Sequence, residues 1–277
     1  MVTRRSARTL MYVALALITF LVILPLIWLV FISLKDNAEI MRDPLSLPAS
    51  ASFSNYAAAL EKLDLGLLYR NTALVALVTL AIEIPITFAS AFALARLDYK
   101  RGKVRAALYT FMLIGLAISP FILLFPIYRI NHFIGLREKI GLVMPYISTS
   151  VSFNTLLFVN YLRTVPREID EACIIDGASL GQLIVRVIAP IARPVLATVI
   201  IFNLLYIWNE YPFASIMLND SANYTLSRGI AFLRGRYSVD YAGIAAYSVM
   251  IIVPELILYI IFQRNVMEGM TAGAVKG

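Results

Sequence analysis

Residues 167 to 180, REIDEACIIDGASL, place four carboxylates and a glycine between two long apolar runs. Two more carboxylates, Glu83 in LAIEIPI and Glu255 in VPELILY, stand alone inside apolar runs. A further polar set, Asn203, Asn209, Glu210 and Tyr211, is carried by FNLLYIWNEY. Three chemistries fit these residue types. Carboxylates beside small residues can orient a docking partner through charge-assisted hydrogen bonds, and Ala172, Gly177 and Ala178 leave room for close approach. A carboxylate deep in an apolar run is costly, so Glu83 and Glu255 either line a polar path or lock helices together as hydrogen-bonded groups. Amides, carboxylates and rings, with Tyr146, Asn154 and Tyr206 as further members, can hold a hydroxyl-rich solute. Trp208 and Tyr211 equally suit the aromatic belt of a membrane interface.

Catalytic and metal chemistry find no residue set. There is no G-x-x-x-x-G-K-[ST] phosphate loop, no Ser-His-Asp set and no HExxH, and KRGKVR at 100–105 has the wrong spacing to cradle a phosphate. The single cysteine, Cys173, can form neither an intrachain disulfide nor a cysteine-rich metal site and is expected to pack as a small apolar group. The single histidine, His132, has no histidine partner and is expected at a surface or interface. The chain is therefore not expected to be an enzyme or to bind a metal or cofactor.

The elements that must position these residues follow from hydropathy. With 60% hydrophobic residues, 15% charged and a mean hydropathy of +0.80 over 277 residues, the chain belongs in a bilayer. Six runs reach the roughly 20 apolar residues that a crossing needs: 10–34, 71–97, 106–128, 140–162, 194–218 and 241–262. The expected fold is an all-α membrane protein, one membrane domain over 1–277 with six transmembrane helices. The first run follows Arg4, Arg5 and Arg8, exceeds a signal-peptide core and lacks a clear cleavage site, so it is expected to remain as an anchor. The net charge of +7 is read as topology. More than half of the 24 basic residues, including Arg96, Lys100, Arg101, Lys103 and Arg105, fall on one side if both termini are cytoplasmic. No nucleic-acid partner is implied.

Two connections carry pattern. The 35–70 loop contains Pro44 and Pro48 and then FSNYAAALEKL, which suits a short interfacial helix. The 163–193 loop reads as helix, glycine turn, helix against the cytoplasmic face. Thr164 is the expected cap, Pro166 stands in the first turn, and Glu168, Asp170 and Glu171 sit at the positive end of the helix dipole. Gly177 is the expected left-handed stop. Ser179 caps a second helix with Leu180, Leu183, Ile184 and Val187 at helical spacing.

Glu171-Ala172-Cys173, Asp176-Gly177-Ala178, and then Ile188, Pro190 and Pro194 resemble the EAA loop of ATP-binding-cassette (ABC) importer permeases. Cys173 stands where that pattern has its second alanine, and Ala189 where it has leucine. SLK at 33–35, FSNY at 53–56, AFALARLDYKRGK at 91–103, SPFILLFPIYRI at 119–130, WNEYPFA at 208–214 and the ending GMTAGAVKG extend the similarity to the six-span, maltose-transporter-type subfamily. The resemblance implies import of carbohydrates, less often of polar solutes such as glycerol phosphodiesters, across a bacterial or archaeal plasma (inner) membrane. It implies a heterodimer with a second permease, two copies of a cytoplasmic ATPase that hold the ATP and Mg, and an external solute-binding protein. It makes 163–193 a coupling loop between spans 4 and 5, in which Glu171, Ala172, Asp176, Gly177 and Ala178 dock on the ATPase. It makes 265–277 a tail whose Gly273, Ala274, Val275, Lys276 and Gly277 reach the ATPase interface. The competing reading is an ion-coupled transporter with Glu83 and Glu255 as proton carriers.

Overall fold

The computed structural model describes residues 2–99, 102–235 and 238–271, with side chains described for 7–99, 102–235 and 238–264. Gly273, Ala274, Val275, Lys276 and Gly277 lie outside the described residues. The chain gathers into two compact units, Met1–Leu65 with Gly229–Glu255, and Gly66–Arg228 with Leu256–Gly277. Among the described residues β structure is limited to one isolated bridge between Arg234 and Val239.

The first unit holds α1 (Val2–Ser33), α2 (Asn37–Arg42), α3 (Ser54–Lys62) and the first half of α12 (Tyr241–Thr271). α1 is apolar and exposed along most of its length, the surface a lipid-facing helix presents. SLK and FSNY form one hydrogen-bonded joint. Asn55 Nδ2 donates to the carbonyls of Ser33 and Lys35, and the Ser33 and Tyr56 hydroxyls meet at 2.7 Å. Lys35 is buried, its ammonium donating to Asp43 O and Ser46 Oγ. Asp240 caps α12 by accepting from Gly243 N and also receives Asn37 Nδ2 and Lys62 Nζ.

The second unit holds α4 (Leu65–Arg96), α5 (Gly102–Ala117), α6 (Pro120–Phe133), α7 (Glu138–Leu162), α8 (Glu168–Ile175), α9 (Leu180–Ile191), α10 (Arg193–Asn209) and α11 (Pro212–Met217). Two apolar clusters tie these helices together. One joins Phe88, Phe92 and Ala95 of α4 to Phe158 and Leu162 of α7, Leu183 and Ile188 of α9, and Val195 and Val199 of α10. The other joins Val75 of α4, Leu124 of α6, Leu142 and Tyr146 of α7, and Phe213 and Met217 of α11.

Among the described residues four helices are long and apolar enough to cross a membrane: α1, α4, α7 and α12. Two bent pairs raise the number to six if each pair counts as one span. These bends depart from the sequence reading. The run expected as one span over 106–128 is α5 and α6, turned by 99°. Pro120 opens α6 and holds Ser119 extended (φ −66°, ψ 132°), because the residue before a proline is disfavoured in the helical region. The run expected over 194–218 stops as a helix at Asn209, passes through extended Glu210, and resumes as α11 at Pro212. At its other end α10 is bent by 78° from α9 at Ala192, two residues before Pro194. Within α9 the backbone widens to a π-helix over Leu183–Ile188, with Ala189 N donating to Ile184 O.

Candidate functional site

Two sites lie in the second unit. The first is the turn between α8 and α9. Thr164 is not the cap of α8: its hydroxyl turns back to Tyr161 O at 2.8 Å, and α8 begins at Glu168 after Arg167, which makes no side-chain cap bond. Tyr161 O, at the end of α7, accepts from Thr164 N at 2.9 Å and from the Thr164 hydroxyl together, so the threonine closes α7 instead. Pro166 accordingly precedes the helix. Glu168, Asp170 and Glu171 do occupy the first turn.

α8 ends as the sequence reading expects. Gly177 has φ +78°, Gly177 N donates to Ile174 O and Ala178 N to Cys173 O, the paired bonds of a Schellman turn. Ser179 caps α9 and forms a capping box with Gln182. Cys173 packs half-buried against the apolar cluster beneath. Glu171, Ala172, Asp176 and Gly177 are exposed, Ala178 is half-buried, and Ile174 and Ile175 are exposed beside them. The sequence reading missed those two isoleucines as surface. Apolar side chains left uncovered beside a glycine turn form a surface that gains by being covered.

α8 is fastened to α4 by charge. Arg96, the last residue of α4, places Nη1 3.3 Å from Asp170 Oδ2, with the two side chains 3% and 14% exposed, and donates Nη2 to Val165 O at 2.8 Å. Arg167 adds an exposed contact to Asp98 at 3.4 Å. No local pattern points to the Arg96–Asp170 pair, since its members lie on different helices far apart in sequence.

The second site is a buried polar cluster with a groove in front of it. Glu83 of α4 is fully buried and accepts hydrogen bonds from Ser150 Oγ and Asn154 Nδ2 of α7. Asn154 Oδ1 accepts from Asn203 Nδ2 of α10 at 3.1 Å, so one chain of bonds crosses three helices. Of the two roles open to Glu83 in the sequence, this is the geometry of a carboxyl that joins helices. Glu255 is half-buried on α12 in the other unit and is not among the partners that join Glu83.

Glu210 and Tyr146 are committed to each other. The Tyr146 hydroxyl donates to Glu210 Oε2 at 3.0 Å, and Glu210 also accepts from Phe213 N at 2.7 Å and Ala214 N at 3.2 Å, which caps α11. The ring of Trp208 packs on Tyr69 with centroids 5.6 Å apart. Tyr211 is half-buried just ahead of α11, and Asn209 is exposed.

In front of the cluster lie two adjoining hollows of about 320 and 270 Å³ that share Pro120 and Tyr206. The inner one is walled by Thr149, Ser150, Asn203 and Tyr206 with the rings of Phe153 and Phe202; the outer one adds Asn209 and Phe121. Pro120, the first residue of α6 after the α5–α6 bend, stands at the edge of both hollows. The sequence reading found Asn203, Tyr206 and Asn209 but missed Thr149, Ser150 and the phenylalanines, whose polarity is too slight to stand out in an apolar run.

A bent, broken-helix bundle with a polar core and an exposed helix turn is the architecture of a membrane transport subunit. Residues 85–266 match the family described as binding-protein-dependent transport system inner membrane component, and the chain belongs to that family. It is 30% identical to the diacetylchitobiose uptake system permease protein of Streptomyces coelicolor, over 92% of this chain and 85% of that protein. It is 32% identical to the sulfoquinovosyl glycerol transport system permease protein of Agrobacterium fabrum, over 98% and 95%. Its fold is similar to a chain in the crystal structure of a bacterial ABC transporter involved in the import of the acidic polysaccharide alginate. That match has a TM-score of 0.77 at 22% identity and covers 95% of this chain and 97% of that one.

Proposed function

We propose that this chain is the permease subunit of an ATP-driven importer that receives a carbohydrate from an external binding protein and releases it into the cytoplasm by alternating access. Its partners are a second permease, two copies of a separate ATPase that bind ATP and Mg, and the binding protein. Both termini face the cytoplasm, as does the α8–α9 turn.

The observation that carries the carbohydrate reading is the groove, where aromatic rings stand beside hydroxyl and amide groups inside an otherwise apolar bundle. Rings cover the apolar faces of a sugar while a few placed polar atoms meet its hydroxyls. The saccharide-named relatives support the same class. The glycerol phosphodiester alternative is less favoured, because no Lys, Arg or His is among the described residues that line the groove.

The ATPase seats on Glu171, Ala172, Asp176, Gly177 and Ala178, with Ile174 and Ile175 supplying apolar contact. ATP binding moves α8, and the Arg96–Asp170 pair passes that movement to α4. Glu83 lies 13 residues up α4, about 20 Å away at 1.5 Å per residue, and links α4 to α7 and α10 around the groove. Energy is transmitted only if these contacts differ between the two states of the transporter. An ion-coupled reading needs Glu83 open to a proton path, whereas it is fully buried and bonded to two side chains.

The test is ATP hydrolysis by the reconstituted complex across a panel of sugars loaded on the binding protein. Stimulation by one or a few saccharides supports the proposal. Stimulation only by non-carbohydrate solutes would overturn the carbohydrate assignment and leave the permease assignment standing.

A further inference from the structure

The direction of the hydrogen bonds behind the groove decides which atoms face a solute. Asn203 Nδ2 lies 2.8 Å from Val199 O. A backbone carbonyl only accepts, so the atom there is the amide nitrogen. Its second proton goes to Asn154 Oδ1 at 3.1 Å. Asn154 is thereby turned so that its own Nδ2 meets Glu83 Oε1. Ser150 has one hydroxyl proton, and its two partners, Tyr146 O at 2.5 Å and Glu83 Oε1, are both oxygen acceptors able to take it. Thr149 spends its proton on Pro145 O at 2.9 Å.

Asn203 Oδ1, Ser150 Oγ and Thr149 Oγ1 are left facing the inner groove as acceptors, and the Tyr206 hydroxyl, 3.3 Å from Thr149 Oγ1, is the donor beside them. Behind them stands the Glu83 carboxyl, and Glu210 lies beside the outer hollow. The described groove lining contains no cationic side chain. A hydroxyl can donate into such a wall. A carboxylate or sulfate brings only lone pairs and a negative charge, and it would be desolvated against three acceptors and two nearby carboxyls with one phenolic donor and no cation to pair it.

We infer that the groove selects a neutral, hydroxyl-donating saccharide against its anionic counterpart, with Glu83 as the positioning residue that orients Ser150 and Asn154, and through Asn154 Asn203. This inference rests on the carbohydrate reading and adds to it the charge of the cargo. Glu83 reaches solute only through those side chains. Its removal therefore changes the choice between solutes, where loss of a purely structural residue would lower uptake of both alike.

The experiment uses the complete transporter in proteoliposomes with its binding protein. The probes are a neutral oligosaccharide that stimulates its ATPase and the same oligosaccharide with one ring carried as the uronate. Titration of each sugar into the binding protein alone gives that protein's own preference. Uptake by the wild type is expected to favour the neutral sugar beyond that preference by on the order of tenfold or more, the discrimination a site gains when mismatched polar groups are left unpaired. Glu83→Leu is expected to bring the ratio of the two kcat/KM values back toward the binding protein's preference. Ser150→Arg, which puts a bidentate cation into the groove, is expected to raise uronate uptake relative to neutral, a gain that misfolding cannot produce. Equal uptake of both sugars by the wild type, or an unchanged ratio in both variants, overturns the inference while the carbohydrate reading stands. Uptake of no saccharide overturns that reading and the inference with it.

Discussion

Replacing Gly177 by leucine separates what this turn does for the chain from what it does for a partner. Gly177 sits at φ +78°, where any residue with a Cβ pays about 1–2 kcal/mol of backbone strain. A Cβ built there meets nothing within 4 Å, so the chain itself leaves room for the side chain. Gly177→Ala and Gly177→Leu therefore carry nearly the same strain and differ only in how far they project into the space in front of Glu171 and Asp176. If that space is filled by an ATPase subunit, the leucine variant loses ATP-driven uptake and releases the ATPase during purification. The alanine variant keeps most of both. Melting temperatures of the two isolated variants should agree to within a few degrees. Equal uptake by the leucine and alanine variants would refute docking at this turn, and a leucine variant that melts far below the alanine one would refute the claim that the chain has room.

Three further outcomes follow from the geometry. Arg96→Met leaves Asp170 largely buried without its partner and is expected to cost about 3 kcal/mol of stability and to raise the ATP consumed per solute; Arg96→Met with Asp170→Leu should recover most of the stability but not the coupling, read by thermal unfolding and by the uptake-to-hydrolysis ratio. Glu210→Ala removes the cap of α11 and leaves the buried Tyr146 hydroxyl unpaired, a loss of about 2–4 kcal/mol, whereas Tyr146→Phe should cost no more than about 1–2 kcal/mol because the cap survives. Burial alone would raise the pKa of Asp240, but hydrogen bonds from Asn37, Lys62 and Gly243 and the charge of Lys62 outweigh it and hold the carboxyl below its usual range. A depressed carboxylate stabilises the fold fully above its ordinary pKa of about 4 and loses that contribution as pH falls through the lower folded value, so thermal stability should drop below about pH 4 in the wild type and follow a flatter profile in Asp240→Asn.

The helices long enough to cross in one piece were legible because an apolar run of sufficient length has few alternatives: α7 matches its expected bounds to within two residues, while α1 and α4 begin eight and six residues before their expected starts and α12 runs nine residues past its expected end, where polar flanks continue the helix. The Gly177 stop and the Ser179 cap were legible because each rests on a conformation or a bond within a few residues. The α5–α6 bend was hidden, since Ser119 and Pro120 barely lower the mean hydropathy of a run that remains apolar on both sides. Glu210 was expected on the solute path because a carboxylate there needs partners. Its partners turn out to be two backbone N–H groups of the next helix and a tyrosine 64 residues earlier, and only folding brings that tyrosine near. Thr164 shows the same limit on a smaller scale. A hydroxyl between two helix ends can close either one, and local sequence does not decide which.

The most direct test of the central claim is solute uptake into liposomes containing this chain, with its partners added one at a time. The account predicts saccharide uptake only when the second permease, the ATPase with ATP and Mg, and the loaded binding protein are all present, and none by this chain alone under a proton gradient. Uptake by the chain alone, driven by that gradient, would contradict it.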